Sequence, residues 1–418
     1  MTREMTIKGA PMSERVDTEF DHMSREFAAD PFGQFTELRG QCPMAWSSKH
    51  GGFWTPTSHE AVALVARDDA TFSSARHPAD SPLNGITLPS SPSTLSIPIE
   101  LDPPEFNVYR RMLNPLLTPK VAEQLRSRFQ ELCDEFIDRF IESGKCDLVA
   151  DYSGPVMATF TMEWLGMPAE LGQPFADVFH GFTAFGPGAP ERDRAIAAKP
   201  ALDQVITDEI ERHRVEPDGA VLSQLLAETV NGEPMTTADL HAIAHLFIAG
   251  GVDTTSALVA QSLMYLHENR DDRRRLQDDR DMLPLAIEEF LRVFNPVVSN
   301  ARTVTRDVEV CGQALRAGDR VLLPWAAANR DPEVFDNPDE VILDRPANRH
   351  ASFGLGIHRC AGSNVARVAS RVMIETVLHR LPDYTVDASQ SDPYPARGRH
   401  FGWSALPTTF TPGLPIGA

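Results

Sequence analysis

A lone cysteine stands in a glycine-rich stretch near the C-terminal end of the chain. The stretch, FGLGIHRCAG, covers residues 353–362 and places Cys360 among three glycines. Glycines let the backbone turn tightly and approach another group closely. Residues 361–380 have the pattern of a helix, so the thiol is predicted to lie at a helix N-terminus, where the helix dipole favours a thiolate. The stretch therefore predicts a soft anionic ligand.

A second stretch with chemical potential lies in the middle of a long apolar helix. From Thr236 the sequence TTADLHAIAHLFIAGGVDTTSALVAQSLMYLHENR stays mostly apolar for about 30 residues, or ~45 Å of helix. Its middle holds Gly250 and Gly251, each costing about 1 kcal/mol relative to alanine, followed by Asp253 and Thr254. One interpretation is a close helix crossing with a satisfied aspartate. The other is a groove for a small ligand, in which an acid and an alcohol relay protons.

Several charged residues are weak signals when each is taken alone. In LAIEEFLRVFNP, Glu289 and Arg292 lie three residues apart on one helical face, where a solvated pair is the commoner arrangement. Other basic residues lie on the helix after LDPPE, in SNARTVTRD and two positions before the cysteine, and they read singly as ordinary surface or loop residues. They are Arg110, Arg111, Arg302 and His358.

The charge balance limits the classes of partner. With 59 acidic and 39 basic residues the formal net charge is -20, which disfavours nucleic acid and anionic membranes and favours small molecules or another protein. The five cysteines form no CxxC pair, so neither a disulfide framework nor a zinc cluster is predicted. The N-terminal residues carry charges throughout, so we expect no signal peptide, no membrane anchor and a cytoplasmic protein.

Helical patterns dominate the chain, and no repeat or clear domain boundary divides it. Helices are predicted over 59–69, 119–144, 200–214 and the long segment from 236. The strand-like stretch 307–325 is predicted to form a hairpin around its glycines. Residues 329–350 form a proline- and aspartate-rich meander that leads into the cysteine loop, and long loops of this kind are usually functional.

Taken together, four ordered motifs resemble the cytochrome P450 family of heme-thiolate monooxygenases over nearly the whole chain. FGLGIHRCAG is similar to the family's heme-ligand loop, and AGGVDTT is similar to the oxygen-binding groove of its long central helix. EEFLR is similar to its Glu-x-x-Arg helix, and ILDRPANRHASFG to the meander before the ligand loop. The order and spacing of the motifs agree with the family throughout.

The resemblance implies a mainly α fold with a small β-rich region, the single-domain triangular helical prism of the cytochrome P450 family. The domain would cover residues 21–418, after an N-terminal tail at 1–20. The implied cofactor is heme b, iron protoporphyrin IX, with O2 as co-substrate. Electrons would come from a separate ferredoxin and ferredoxin reductase, and so indirectly from NAD(P)H. The protein would act as a soluble monomer.

The resemblance also assigns roles to individual residues. Cys360 would be the thiolate ligand of the heme iron, and Phe353 would pack by that loop beneath the porphyrin. Asp253 and Thr254 would deliver protons to oxygen. The heme propionates would be contacted by Arg110, Arg302 and His358. Room for oxygen would be made by Gly250 and Gly251. A structural ion network would be formed by Glu289, Arg292 and Arg345.

One departure from the family and one uncertain region concern the heme pocket. Phe106 stands where many bacterial members have a histidine, which removes a possible propionate contact. Family positions that face the substrate are Leu246, Ala249 and Val298. Two aromatic residues and a nearly uncharged loop could close the pocket, although ordinary core packing explains the aromatics equally well. They are Phe401, Trp403 and the loop 77–100.

The implied reaction inserts one atom of dioxygen into an unactivated C–H bond of a hydrophobic small molecule. An acidic ferredoxin is expected to dock on the cysteine side, near Arg110, Arg111 and Arg359. The alternatives are a peroxide-driven peroxygenase, which needs no redox partner, and a non-catalytic heme-thiolate sensor. The acid–alcohol pair of Asp253 and Thr254 disfavours the first, and the retention of Thr254 disfavours the second.

Overall fold

Helices account for 52% of the residues that the structure describes, as the recurrence of apolar residues three and four positions apart predicts. The computed structural model of the protein describes residues 15–76, 83–90 and 94–416. The α-helices, in chain order, are α1 Arg25–Ala29, α2 Pro31–Gln41, α3 His59–Arg67, α4 Glu105–Leu113, α5 Pro119–Gln124, α6 Arg126–Asp138, α7 Gly154–Leu165, α8 Gly172–Ala184, α9 Pro190–Val215, α10 Val221–Leu226, α11 Thr237–Gly251, α12 Asp253–Glu268, α13 Arg270–Asp278, α14 Leu283–Phe294, α15 Trp325–Ala328 and α16 Ser363–Arg380.

Short turns of tighter or wider helix connect several of these elements. The 3-10 turns are Lys49–Gly51, Asn114–Leu117, Ile141–Ser143, Ala169–Leu171 and Arg280–Met282, and a π-helical turn covers Leu148–Ser153. The π-helical turn leads directly into α7 and lies against α12.

The strands are short, and the largest sheet that they form is a mixed sheet of six strands. They are β1 Asp17–Thr18, β2 Met44–Ser47, β3 Phe53–Pro56, β4 Phe72–Ser73, β5 Lys145–Asp147, β6 Thr229–Val230, β7 Glu233–Pro234, β8 Ser299–Val304, β9 Val308–Val310, β10 Gln313–Leu315, β11 Arg320–Pro324, β12 Thr385–Val386, β13 Asp392–Pro393, β14 Trp403–Ala405 and β15 Pro407–Thr409. The large sheet has the order β1-β2-β3-β11-β8-β4. Smaller sheets have the orders β12-β15-β5, β10-β9, β13-β14 and β6-β7.

The six-stranded sheet fixes the position of Arg302. Strand β8 pairs antiparallel with β11, so that Arg302 lies opposite Val321. Val321 in turn lies opposite Trp54 on the parallel neighbour β3. Strand β8 lies between β11 and β4 in this sheet. Its register therefore determines where the guanidinium of Arg302 leaves the sheet.

Helix boundaries differ from the predictions at several places: the helix predicted over 59–69 ends at Arg67, and the helical pattern predicted to 144 ends as an α-helix at Asp138. The helix predicted over 119–144 is divided at Leu125, whose N–H lies within hydrogen-bonding distance of the carbonyl oxygens of both Val121 and Ala122 and so closes a tight last turn of α5. The helix predicted over 200–214 begins ten residues earlier, at Pro190, and contains Pro200 in its interior. The last long helix, predicted from 361, begins at Ser363.

The predicted hairpin is shorter than its sequence pattern. Strands β9 and β10 pair around Cys311 and Gly312, both with positive φ, 50° and 77°. Gly318, with φ of 91°, then turns the chain into β11, which joins the large sheet instead of extending the hairpin. The hairpin therefore covers 308–315, and the rest of the predicted segment belongs to the sheet that carries Arg302.

Helix α12 lies at the centre of the largest hydrophobic cluster. It packs against α7, α14 and α16, and its buried side chains include Leu258, Val259 and Leu263. The long apolar segment is therefore an interior helix, as its pattern predicts. It is interrupted at Val252, where α11 ends and α12 begins.

One stretch of the described residues is long and apolar enough to cross a membrane. It is Thr237–Glu268, the combined length of α11 and α12, and 67% of its apolar window is buried inside the protein. A core helix of a soluble protein passes the same test, and the burial of this one fits that explanation.

The predicted N-terminal tail lies mostly outside the described residues, which begin at Arg15. Within the described part, β1 pairs in parallel with β2, so that Asp17 lies opposite Trp46. Phe20 is buried in the cluster that also contains Phe27 and Phe35. The chain is thus already part of the large sheet before the predicted start of the domain at residue 21.

Candidate active site

The cysteine loop is held in shape by its own backbone. The N–H of Cys360 donates to the carbonyl oxygen of Phe353 at 2.7 Å, which closes the loop. Gly354 and Gly356 have φ of 70° and 74°, a conformation that favours glycine. A Cβ on Gly356 would lie 2.3 Å from the carbonyl oxygen of Ala66, so the close approach made by this glycine is to α3. Gly356 therefore makes the close approach that was predicted for the glycines of this loop, and the element that it approaches is helix α3.

Cys360 combines exposed surface with apolar neighbours. The residue is exposed, although Phe353 and Ala361 beside it pack against the largest hydrophobic cluster. Burial raises the pKa of the thiol, while the N–H of Gly362 and the charges of Arg110 and Arg359 oppose this effect. A bound cation would favour the thiolate further.

Phe353 is braced by an ion cluster that the sequence interpretation did not include. The Arg367 guanidinium lies 4.5 Å from the Phe353 ring centre and forms an ion pair with Glu288, 2.5 Å between Nε and Oε1. Nε2 of His350 lies 3.0 Å from the same carboxylate. Burial opposes the charge of Glu288, but Arg367 and His350 outweigh it and lower its pKa to about 2. Glu288 lies in the EEFLR motif beside Glu289, so its position in that motif was an available signal.

The opposite wall is the break between α11 and α12. Gly250 is exposed in the middle of an apolar segment, and a Cβ added there would meet nothing within 4 Å. The half-buried Thr254 donates its hydroxyl hydrogen to the carbonyl oxygen of Gly250 at 2.6 Å. Phe247, one turn earlier, packs against the same hydrophobic cluster as the cysteine loop. The α11–α12 break and the cysteine loop thus flank the same hydrophobic cluster.

The two glycines of this helix have different surroundings. A Cβ on Gly251 would lie 3.3 Å from Oγ1 of Thr161 on α7, which is a tight contact. Gly251 therefore permits a close helix crossing, whereas Gly250 leaves space open beside Thr254. The close helix crossing is thus found at Gly251, and the ligand groove stays a prediction that the open space at Gly250 permits.

Asp253 is buried at the first turn of α12. Its side chain is 10% exposed, and Oδ2 makes no hydrogen bond within the described part of the chain. Its nearest ionisable neighbour is His180 on α8, whose Nδ1 lies 3.5 Å from Oδ2. The aspartate is therefore not satisfied by a conventional hydrogen bond, which the structural alternative would require.

Three basic groups meet beside the cysteine loop. Arg302 and His358 are buried, and Arg110 is half-buried with its guanidinium donating to the carbonyl oxygen of Arg359 at 2.9 Å. Burial lowers the pKa of Arg302 to about 10. Burial, together with the charges of Arg302 and Arg110, lowers the pKa of His358 to about 3. In the described ranges neither arginine forms an ion pair, although the charge of Asp102 partly opposes the fall in the pKa of Arg302.

Both ring nitrogens of His358 are buried and have no hydrogen-bond partner among the described residues. Its ring lies 4.5 Å from the ring of Phe106, the residue at which the chain departs from the family pattern. A buried polar group without a partner is costly, and a cluster of cationic groups is stabilised by an anion between them. The cluster thus fits a group that carries carboxylates.

Glu289, Arg292 and Arg345 form a fully buried ion network. Arg292 makes two bonds to Glu289, from Nε at 2.8 Å and Nη2 at 2.7 Å, and Nε of Arg345 lies 3.0 Å from both carboxylate oxygens. Arg292 also donates to the carbonyl oxygens of Asn329, Pro338 and Glu340 in the meander. The solvated-face alternative is therefore wrong, and the network ties α14 to the meander.

The residues predicted to face a substrate are divided between cavity and core. Leu246 and Ala249 are partly exposed on the wall that carries Gly250. Val298 has no exposed surface and packs with Phe401 in another cluster, so the structure places it behind the wall, which differs from the prediction. Phe401 is likewise a core residue, and Trp403 packs against the largest cluster. Residues 77–82 and 91–93 of the predicted lid lie outside the described residues.

The residues present fit a heme. A thiolate donor lies on one wall, and a glycine beside a hydroxyl lies on the other. Beside the cysteine loop, the side chains of Arg110, Arg302 and His358 can donate hydrogen bonds to carboxylates, which suits the two heme propionates. The orphaned nitrogens of His358 are the most direct observation for this fit.

Comparison with known proteins identifies the family of the chain. The family described as Cytochrome P450 matches residues 175–408. A steroid C26-monooxygenase of Mycolicibacterium smegmatis is 32% identical over 87% of this chain and 89% of its own length. The structure of CYP109E1 from Bacillus megaterium in complex with testosterone matches with a TM-score of 0.83 and 26% identity, over 93% of this chain and all of that one. The myxobacterial cytochrome P450 CYP267B1 in complex with myristic acid matches with a TM-score of 0.84 and 25% identity, over 93% and 98%.

Fold and site together define a heme-thiolate type of oxidoreductase. The chain belongs to the cytochrome P450 family. It is accordingly a monooxygenase by class, of a family that uses heme iron and O2, and it has the mainly α fold that the sequence predicts.

Proposed function

We propose that this protein hydroxylates a hydrophobic small molecule with heme b held between the cysteine loop and the α11–α12 break. The observations that carry the proposal are the exposed Cys360 in the glycine-rich loop and the open space at Gly250 beside the Thr254 hydroxyl. When bound, heme supplies the activation of dioxygen, one atom of which enters the substrate while the other leaves as water with two electrons and two protons.

The basic cluster would orient the heme. Arg302 and Arg110 would donate to the propionates, and His358 would donate through a ring nitrogen that has no other partner in the described chain. Phe353 would pack beneath the porphyrin, held there by Arg367. The ion network of Glu289, Arg292 and Arg345 would keep the meander and the ligand loop in place.

Asp253 and Thr254 would supply protons to the reaction. Thr254 holds its hydroxyl beside the open space at Gly250, where its Oγ1 would hold and release a proton and exclude stray water. Asp253, the adjacent residue, would reload it from the protein side.

The electrons would come from a separate ferredoxin, its reductase and, indirectly, NAD(P)H. Arg111 and Arg359 are exposed and Arg110 is half-buried, so the cysteine side offers a basic docking face on a chain whose net charge is -20. We further propose that the chain forms a single domain over residues 21–418, acts as a cytoplasmic monomer and does not bind nucleic acid.

The substrate is proposed to be a steroid or a fatty acid. Leu246 and Ala249 present apolar surface beside the catalytic pair, which suits such molecules. The named activity of the mycobacterial relative and the steroid and fatty acid bound to the two structural neighbours support this choice.

The heme assignment is tested by spectroscopy of the reduced protein with carbon monoxide. The wild-type protein should show the red-shifted Soret band of thiolate ligation, and Cys360→His should abolish it. Cys42→Ser is the matched control: it removes a half-buried thiol outside the cysteine loop and should keep the band. A wild-type protein without the band would contradict the proposal.

The substrate and electron donor are tested together. Testosterone, corticosterone and myristic acid should shift the heme spin state, whereas sucrose should not. Product should then form when a reconstituted ferredoxin system supplies the electrons. If product forms with hydrogen peroxide alone and not with the ferredoxin system, the peroxygenase alternative is indicated. A sensor would give product under neither condition.

A further inference from the structure

A contact between α8 and α12 has no role in the function described so far. Nδ1 of His180 lies 3.5 Å from the buried Oδ2 of Asp253, and no other Lys, Arg or His in the described residues lies within 4 Å of that carboxylate. The distance is long for a hydrogen bond but within the range of an ion pair. The sequence offered no signal for this contact, since 73 residues separate the two positions.

The imidazole is fixed on its other side as well. Nε2 lies 3.3 Å from the hydroxyl oxygen of Ser404 on β14. The rings of Tyr394 and Phe185 flank it edge-on, with ring centres 5.2 Å and 5.9 Å away. The side chain is 27% exposed, so the ring connects the buried carboxylate to the protein surface. Its orientation is therefore determined by contacts on three sides.

The charges around His180 favour its protonated form. Asp253 faces it from α12, Asp177 lies on its own helix, and Asp392 lies on β13. Burial opposes the charged ring, but the attraction of Asp253 outweighs it, so the pKa of His180 is raised from its ordinary value of 6.5.

The neighbouring bases do not offset this negative surrounding. Arg192 of α9 donates to the carbonyl oxygens of Phe182 and Phe185 at the end of α8. His400 is held neutral near pH 7, since burial and the charge of Arg399 lower its pKa to about 4 despite Asp253. His180 is thus the group that can compensate the Asp253 charge.

We propose that His180 is a positioning residue that holds the carboxylate of Asp253 beside Thr254 and, through Ser404, links that carboxylate to the surface. The inference rests on the proposed function, because it concerns the acid that serves Thr254. With the imidazolium in place, the carboxylate keeps its charge and its orientation. Without it, a buried carboxylate is left unpaired, which is strongly unfavourable, and it loses its orientation beside Thr254.

The pairing is measured directly by NMR of the reduced, carbon-monoxide-bound holoenzyme with 15N-labelled histidine. The His180 resonance is assigned by its loss in His180→Gln. In the wild type this ring should titrate above 6.5, and in Asp253→Asn its pKa should fall by about one unit or more. An identical pKa in both proteins would overturn the proposal.

A kinetic measurement tests the consequence without a ferredoxin or a known substrate. Hydrogen peroxide as oxidant and guaiacol as reductant are supplied, and the rate is followed across pH. His180→Phe should lower kcat about ten- to hundredfold with little change in the KM for guaiacol, since it misplaces a proton-transferring group. The wild-type rate should fall as pH rises through the His180 pKa, and that limb should be missing in the variant.

Two further variants separate positioning from a structural role. His180→Gln keeps a donor that can reach Asp253, so it should recover part of the rate while losing the pH limb. His267→Gln changes a histidine on α12 that does not contact Asp253; its Nδ1 accepts from the N–H of Val386, and the substitution should leave rate and pH profile unchanged. A His180→Phe protein with the wild-type rate and pH profile would exclude the positioning role. Absence of the thiolate Soret band would instead refute the proposed function.

Discussion

The hydroxyl of Thr254 donates to the carbonyl oxygen of Gly250 at 2.6 Å, across the break between α11 and α12. A threonine that bonds back four residues competes with the backbone ladder of a helix and widens it. Here the same bond places the hydroxyl beside a glycine that faces open space. The bond that interrupts the helix therefore also positions the hydroxyl that is the candidate for proton delivery.

Replacement of Thr254 should separate electron consumption from product formation. In Thr254→Ala the hydroxyl is lost and water can enter beside Gly250, so protons reach oxygen without control. We expect NAD(P)H consumption to continue with most of it diverted to hydrogen peroxide, measured as peroxide and product per NAD(P)H. Thr255→Ala, at the next residue, is the control and should keep the wild-type ratio. Unchanged coupling in Thr254→Ala would remove this hydroxyl from the relay.

The buried ion network should be sensitive to loss of its single carboxylate. Glu289→Gln leaves Arg292 and Arg345 with uncompensated charge in the interior, and breaking such a buried group costs about 3–5 kcal/mol. The free energy of unfolding in urea should fall by about this amount. Glu135→Gln breaks the exposed pair with Arg139 and should change it by about 1 kcal/mol or less. Equal effects of the two substitutions would contradict the assigned role.

Arg302 should determine how firmly heme is retained. Arg302→Leu removes a buried guanidinium proposed to bind a propionate, an interaction worth about 1.5–3 kcal/mol. Heme transfer from the holoenzyme to an excess of apomyoglobin should become about tenfold faster or more. Arg306→Leu, an exposed arginine that bonds to Thr71, is the control. Transfer at the wild-type rate in Arg302→Leu would place the propionates elsewhere.

Two buried histidines should make the fold sensitive to mild acid. Burial lowers the pKa of His22 and of His245 to about 4, so both stay neutral in the folded protein while they bind protons near 6.5 when unfolded. The unfolded state therefore gains protons as pH falls from 6.5 towards 4. Stability should decrease by about 1.4 kcal/mol per pH unit for each histidine. Urea unfolding at pH 7 and pH 5 measures the change.

His22→Gln tests the contribution of one of these histidines. Nε2 of His22 lies 2.9 Å from the carbonyl oxygen of Leu88, a contact that a glutamine amide can replace as donor. The variant should lose stability less steeply below pH 6.5 than the wild type. The same slope in both proteins would show that His22 does not titrate as its burial predicts.

Short-range patterns predicted much of the fold and site because their physics is local. The apolar period of α12, the turn preferences of the glycines in FGLGIHRCAG and the i,i+3 spacing of Glu289 and Arg292 depend on neighbours in the chain. The family resemblance then joined these segments in the correct order. Boundaries were less accurate, as at Leu125, where a tight last turn divides one predicted helix in two.

Tertiary packing decided which predicted residue performs which task. Gly250 and Gly251 are indistinguishable by type, yet one faces open space and the other packs on Thr161. Gly356 approaches α3, and Val298 lies behind the pocket wall. In each case the outcome depends on which element lies against the residue, and a residue's own type carries no information about that element.

The sequence by itself determined the class of chemistry of this protein, since the cysteine loop, the mid-helix acid–alcohol pair and the Glu-x-x-Arg motif each consist of residues close together in the chain. Only the tertiary structure decided the partners of these groups. The contact of His180 with Asp253 and the brace of Glu288, Arg367 and His350 under Phe353 join positions up to 79 residues apart. Such contacts arise because packing of helices and loops brings distant side chains together, and buried charges persist only where that packing supplies a partner.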